Sequence, residues 1–328
     1  MTECHPCGDL ATLTLRRPDD WHHHLRDGDV LKDTVGAAAR QFHRAIIMPN
    51  LVPPVTTAAL ASEYKARVLE ALAASGQPAG SFEPLMTIYL TDFTTPEEVK
   101  AAAAAGDVKA YKLYPAGATT NSASGVTDYA RIAPALGAME ECGLILCVHG
   151  EVTDPEVDIF DRERVFVRDK LPMLRAMAPN LKMVLEHLST REAVEAVLAG
   201  GPMLAGTITP QHLLATRNHL LAGGIKPHLY CLPILKTEDD RQALLAALRS
   251  GCERLFLGTD SAPHSIGRKE SACGCAGVFS AHAAIEFYAE AFTPPPPTPT
   301  PLPATSTRTS GSSSFSSLLL LLFLLFDL

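Results

Sequence analysis
At 328 residues, 47% of them hydrophobic, the chain can build one large folded core and is far from the composition of a disordered segment. A net charge of −8 with no basic run excludes the footprint of a nucleic-acid binder, so any anionic ligand must be held by local charges. The eight cysteines are scattered and lie mostly in apolar runs, the usage of free thiols in a reducing compartment. The opening residues, Met-Thr-Glu-Cys-His-Pro, offer neither a basic nor an apolar targeting stretch. The expected location is cytoplasmic with no membrane attachment, or an organelle if targeting residues precede this sequence.

In chain order, the first predicted strand ends at His24 in Asp-Asp-Trp-His-His-His-Leu-Arg-Asp-Gly. Apolar, β-branched runs follow at 44–49, 85–90, 108–114, 144–149, 182–187, 203–209 and 255–260. Helices with legible starts lie between them. Thr95-Pro96-Glu97-Glu98 supplies a cap, a first-turn proline and acids at the positive helix end, and Gly106 stops the run. Ser189-Thr190-Arg191-Glu192 reads as a capping box, and Thr237-Glu238-Asp239-Asp240 opens a helix that ends before Gly251. The extra apolar run 228–235 reads as a loop strand. Eight strands in strict alternation with helices predict a (β/α)₈ TIM barrel, with a doubly wound sheet as the rival.

The polar residues favour the barrel. His24, Asn50, Lys112, His149, His187 and Asp260 all fall at or just past strand ends, where such barrels carry their catalytic groups. Any one of these histidines alone reads as a hydrogen-bonded core residue; the ordered set reads as a metal site. His22 and His24, two apart on a strand, share a side while His23 faces away. Imidazoles with one carboxylate suit Zn²⁺. His22, His24 and Asp260 would serve one ion, and His149 and His187 a second. Two such ions need a bridging anion. Glu186 is placed on the opposite face of its strand, and Glu151 lies beyond Gly150, so the residues alone leave the bridge unassigned.

The ordered motifs then carry a resemblance: His22-His23-His24-Leu-Arg26-Asp-Gly, Met-Pro-Asn50-Leu, Tyr-Lys112-Leu-Tyr-Pro, Val-His149-Gly-Glu, Glu-His187, Ile-Thr-Pro-Gln-His-Leu and Gly-Thr-Asp260-Ser-Ala-Pro-His264. From about Leu13 to about Phe292 the chain resembles the single-function, class II dihydroorotases of the amidohydrolase superfamily. The resemblance implies a carboxylated Lys112 (N6-carboxylysine) bridging two zinc ions, which fills the unassigned position. It also implies the reversible hydrolysis of dihydroorotate to N-carbamoyl-aspartate, the third step of pyrimidine biosynthesis, with Asp260 as the proton carrier. Arg26, Asn50 and His264 would hold the substrate carboxylate, the backbone at Leu232 and Ala276 would add contacts, and Thr119 and Thr120 would lie on a mobile lid. The implied partner is this small molecule alone, and the implied assembly a homodimer. Another cyclic-amide hydrolase and a non-catalytic barrel are the alternatives. Cys273-Gly-Cys275 lacks a second pair of matching spacing, so it reads as free thiols rather than a zinc site.

Domain organisation follows from composition: residues 1–292 as the barrel, and 293–328 as a proline- and serine-rich stretch ending in the apolar run 318–326. This end departs from the family pattern. It reads as a divergent or artefactual terminus outside the fold, too short in its apolar part to span a bilayer.

Overall fold
The computed structural model describes residues 15–292. The expected tail, 293–328, and the opening segment before Leu15 lie outside the described residues. Eight parallel strands follow one another in a single sheet in sequence order: β1 (Asp20–His23), β2 (Arg44–Ile47), β3 (Glu83–Leu90), β4 (Val108–Leu113), β5 (Ile145–His149), β6 (Met183–Glu186), β7 (Leu204–Ile208) and β8 (Leu255–Leu257). The barrel closes just beyond β8, where the Asp260 amide donates to His22 O and the His24 amide to Ser261 O. The Asp20 carboxylate clamps the same seam by accepting from the Thr259 amide and hydroxyl. The (β/α)₈ expectation is borne out and the doubly wound sheet is not.

The outer ring comprises α1 (Gly28–Gln41), α2 (Ala58–Ala74), α3 (Pro96–Ala105), α4 (Tyr129–Cys142), α5 (Arg162–Asp169), α6 (Leu171–Met177), α7 (Arg191–Ala199), α8 (Pro210–Leu214), α9 (Arg217–Leu221), α10 (Glu238–Arg249), α11 (Ile266–Lys269) and α12 (Ala284–Phe292). Local chemistry sets their ends. Thr95 and Glu98 form the anticipated capping box on α3, and Gly106 takes the left-handed conformation that ends it. Thr237 and Asp240 do the same at the start of α10. The cap of α7 lies one residue later than expected. Thr190, not Ser189, accepts from the Ala193 amide, because both hydroxyls are also drawn to the buried Glu163 carboxylate. The run 228–235 is not a strand: a 3₁₀ turn covers Pro227–Leu229 and the rest is irregular. Its apolar side chains pack into a satellite cluster around Cys231 and Leu235 instead of pairing with a sheet edge, which a closed barrel does not offer.

Period-two alternation divides the strands into two faces. Ile47, Leu113, Val148 and Leu185 face the helices, while Ile46, Ala110, Ile145, Val184 and Phe256 fill the barrel interior. Among the described residues no helix is long and apolar enough to cross a membrane.

Candidate active site
The inward-facing rows change character toward the strand ends: Ala110 gives way to Lys112 on β4, Cys147 to His149 on β5, and Val184 to Glu186 on β6. At that rim the Nε2 atoms of His22 and His24 lie 3.1 Å apart. Asp260 Oδ1 stands 3.3 Å from the first and 3.1 Å from the second. Their other ring nitrogens each face a side-chain oxygen. His24 Nδ1 is 2.9 Å from Asn50 Oδ1, and His22 Nδ1 is 3.0 Å from Glu186 Oε1. A histidine held at Nδ1 presents Nε2 to a ligand, so both rings aim at the same spot as the Asp260 carboxylate. His23 turns away and bonds Asp20 at 2.8 Å, as the alternation predicts.

The His187 ring lies on the other side of His22, with ring centres 5.0 Å apart, and 4.7 Å from the ring of His149. Lys112 is fully buried at the centre, donating to Glu186 and lying 4.6 Å above the Tyr114 ring. Among the described residues, two sets of donor atoms are close enough to hold a cation, His22–His24–Asp260 and His22–Glu186–His187.

Glu186 is a correction. The alternation had been counted through His187, which put Glu186 on the outer face. β6 ends at Glu186, whose side chain continues the inward row of Val184, and His187 reaches the site only because its backbone is left-handed (φ 47°). The same device serves Asp260 (φ 46°) and Arg26 (φ 63°). Non-glycine residues rarely adopt this conformation, and it gathers here at one rim. Glu151 is a second correction. Past the end of β5 the chain turns back at Gly150, and Glu151 Oε2 comes 2.7 Å from His149 Nε2. Counting parity from the apolar residue Val184 would have found Glu186; the i, i+2 spacing from His149 points to Glu151, and only the assumption that Gly150 breaks the alternation hid it.

Burial opposes charge on every group at this rim, and its neighbours decide the outcome. On His22 the Glu186 and Asp260 carboxylates overcome desolvation and raise the imidazole to about 9. On His24 desolvation wins and lowers it to about 3; His187 also falls well below its ordinary value, through burial and then the His149 and Lys112 charges. Against its own desolvation, Asp260 is held well below the usual carboxylate range by His22 and His24. An ionised carboxylate beside the neutral imidazoles of His24 and His187 suits a cation, and a cation bound there would displace the proton that His22 carries.

Arg26, Asn50, Thr119, Thr120, Leu232 and Ala276 line the same cleft as His22, His24, His149, His187 and Asp260. His264 stands at the edge, its Nε2 3.2 Å from Arg26 Nη2 and 3.0 Å from Ala276 O. Burial, then Arg26, lowers His264 to about 4, so a neutral imidazole faces the guanidinium. Asn50 is committed on both sides, to His24 and, through its amide group, to Thr120 O at 3.0 Å. The Thr120 hydroxyl donates to Ala276 O at 3.2 Å, so the loop after β4 reaches across the cleft to the loop after α11.

Residues 19–290 match the model of the Amidohydrolase family. The chain belongs to the amidohydrolase family. Within it, relatives at 58–60% identity are dihydroorotases. A dihydroorotase of Shewanella amazonensis is 60% identical over 283 residues, 86% of this chain and 81% of that protein. Among solved structures, dihydroorotase from Campylobacter jejuni superposes with a TM-score of 0.76 at 37% identity, covering 85% of this chain and 77% of the other. Dihydroorotase from Saccharomyces cerevisiae, in complex with 5-fluoroorotic acid, gives 0.76 at 34% identity, covering 84% and 78%. Amidohydrolase dihydroorotases are metal-dependent, which agrees with the clustered imidazoles and carboxylates at this rim.

Proposed function
We propose that the chain is a class II dihydroorotase, interconverting (S)-dihydroorotate and N-carbamoyl-L-aspartate by hydrolysis and closure of the cyclic amide, the third step of pyrimidine (UMP) biosynthesis. The observation that carries this reading is one cleft joining a rim of clustered imidazoles and carboxylates to a half-buried arginine, in a chain 60% identical to a dihydroorotase. The yeast relative's ligand, 5-fluoroorotic acid, is an acid of the same ring type as the proposed substrate.

The residues fit two Zn²⁺ ions. Imidazole and carboxylate are their ordinary ligands, and the buried His187 Nδ1 has no hydrogen-bond partner among the described residues. His22, His24 and Asp260 would hold one ion, His149 and His187 the other, with Lys112 carboxylated as the bridge. Bound zinc would polarise the amide carbonyl and supply a nucleophile near neutral pH. Unmodified Lys112 donates to Glu186, whose other oxygen lies 3.0 Å from His22 Nδ1. Glu151 orients His149, as carboxylates commonly orient ligand histidines.

Asp260 is the proton carrier: ionised between two imidazoles, it accepts a proton as the amide is attacked and returns it to the leaving ring nitrogen. Arg26 takes the substrate carboxylate in a charge-assisted pair, with His264 beside it and Asn50 available once its amide turns from Thr120 O. Thr119 and Thr120 close over the ring, and the backbone at Leu232 and Ala276 completes the cleft. Dihydroorotate turnover measured alongside zinc content tests the reading. Metal-replete protein that fails to open the ring would refute it.

A further inference from the structure
The loop between α11 and α12 carries two thiols that the proposed reaction does not use. Cys273 is exposed and Cys275 buried, and their sulfurs lie 3.8 Å apart, the Cys275 thiol donating to Cys273. The backbone is left-handed at Gly274 (φ 66°) and Cys275 (φ 29°), which brings two side chains of one short turn to the same side. Lys269 anchors the turn from below: its ammonium donates to the carbonyls of Tyr230, Cys275 and Gly277 at 3.0, 2.7 and 2.9 Å. The next residue, Ala276, accepts from Thr120 and lies 3.0 Å from His264, so the turn is coupled directly to the cleft.

We propose that Cys273 and Cys275 are a reversible redox site, oxidised by low-molecular-weight disulfides to an intraloop disulfide that weakens substrate binding. The Cys273 thiolate attacks one sulfur of the small disulfide, forming a mixed disulfide and expelling one thiolate, which takes up a proton. Cys275 then loses its proton and attacks the Cys273 sulfur, expelling the second thiolate. Two protein thiols and one small disulfide become one protein disulfide and two small thiols, with two electrons passing to the oxidant.

The chemistry suits the positions. The Cys275 amide and then its thiol hold the Cys273 thiol below its ordinary range, with Arg268 and Lys269 adding to the effect. The nucleophile is therefore the exposed sulfur and the resolving thiol the buried one. A disulfide requires about 2.05 Å between the sulfurs, so closure must draw the turn in from 3.8 Å. Lys269 grips the carbonyls on either side, and the displacement falls on Ala276 and its partners Thr120 and His264. The effect on binding rests on reading these as substrate contacts; the thiol chemistry does not.

Full-length protein, fully reduced or treated with glutathione disulfide, is assayed with dihydroorotate, and the peptide containing 273–275 is weighed. Oxidation is expected to remove two hydrogens from that peptide and to raise KM about tenfold, equivalent to about 1.4 kcal/mol. Dithiothreitol should restore the original KM, and Cys273→Ser should keep the reduced protein's KM under both treatments. A peptide that retains both thiols, a stable glutathione adduct on Cys273, or a disulfide with unchanged KM would each overturn the proposal. Reduced protein without turnover would sink the functional reading instead, and the peptide masses alone would then decide the thiol pair.

Discussion

The two ends of the barrel interior are built from the same strands and have opposite chemistry. Toward the strand starts, Trp21, Ile46, Ala110, Ile145, Val184 and Phe256 close the interior with an apolar layer, Trp21 and Phe256 meeting edge to face at 6.0 Å. Toward the strand ends, the interior holds His22, Lys112, His149 and Glu186, all nearly inaccessible to solvent. The first layer is stabilised by burial; the second carries desolvated charges that are tolerable only because each has a partner. Changes in the plug should therefore cost stability and spare the chemistry, while changes in the rim should do the reverse.

The largest effect is expected at the rim. Lys112→Ala should reduce turnover to background and empty much of the metal site, since the proposed bridge contributes to both ions; metal analysis with the assay checks this. Normal turnover with a full metal complement would end the bridging role. In the plug, Phe256→Ala should cost about 3–5 kcal/mol of stability, the usual range for deleting a buried ring. Its remaining folded fraction should bind metal as the parent does, which separates the two layers. A thermal melt and metal analysis of the same sample would show it.

Arg26→Met is a finer probe of the rim. Losing one charge-assisted contact to the substrate should raise KM by about 30-fold, or about 2 kcal/mol, with metal content intact. An unchanged KM would reduce Arg26 to a structural role.

Glu163 tests the support beneath the rim. It is fully buried and accepts from the Ser189 and Thr190 hydroxyls just after His187, and desolvation raises its carboxyl from 4.5 to about 7. Between those values the unfolded chain has lost the proton that the folded chain keeps. Stability must therefore fall as pH rises through that window, by about 1.4 kcal/mol for each pH unit. Glu163→Gln should lack this slope in denaturant titrations at several pH values; parallel curves for both proteins would argue against the raised carboxyl. The smallest effect is expected from removing residues 293–328. Every proposed ligand precedes them, so turnover and zinc content should be unchanged, and a loss of either would show that they serve the site.

The eight-strand alternation, the caps at Thr95 and Thr237 and the polar strand ends were legible because each is a local pattern repeated along the chain. His22 and His24 were legible for the same reason, lying two apart on one strand. Glu186 was misplaced because parity was counted through His187, and the left-handed backbone that breaks the count depends on surroundings distant in sequence. Glu151 stands two past His149, the same spacing, but was set aside because Gly150 ends the strand between them, and the Thr120–Ala276 bridge across the cleft joins residues 156 apart, whose spacing carries no signal.

The sequence by itself determined the fold class, the order of the elements and the residue types available for metal chemistry, since hydrophobic period and side-chain chemistry act over a few neighbours. Only the tertiary structure decided which nitrogen of each histidine faces the cleft and which carboxylates partner the buried Lys112 and His22. It alone brought the Cys273–Cys275 turn against the substrate side. These depend on barrel closure between Asp260 and His22, 238 positions apart, where backbone bonds and buried charges are satisfied together or not at all.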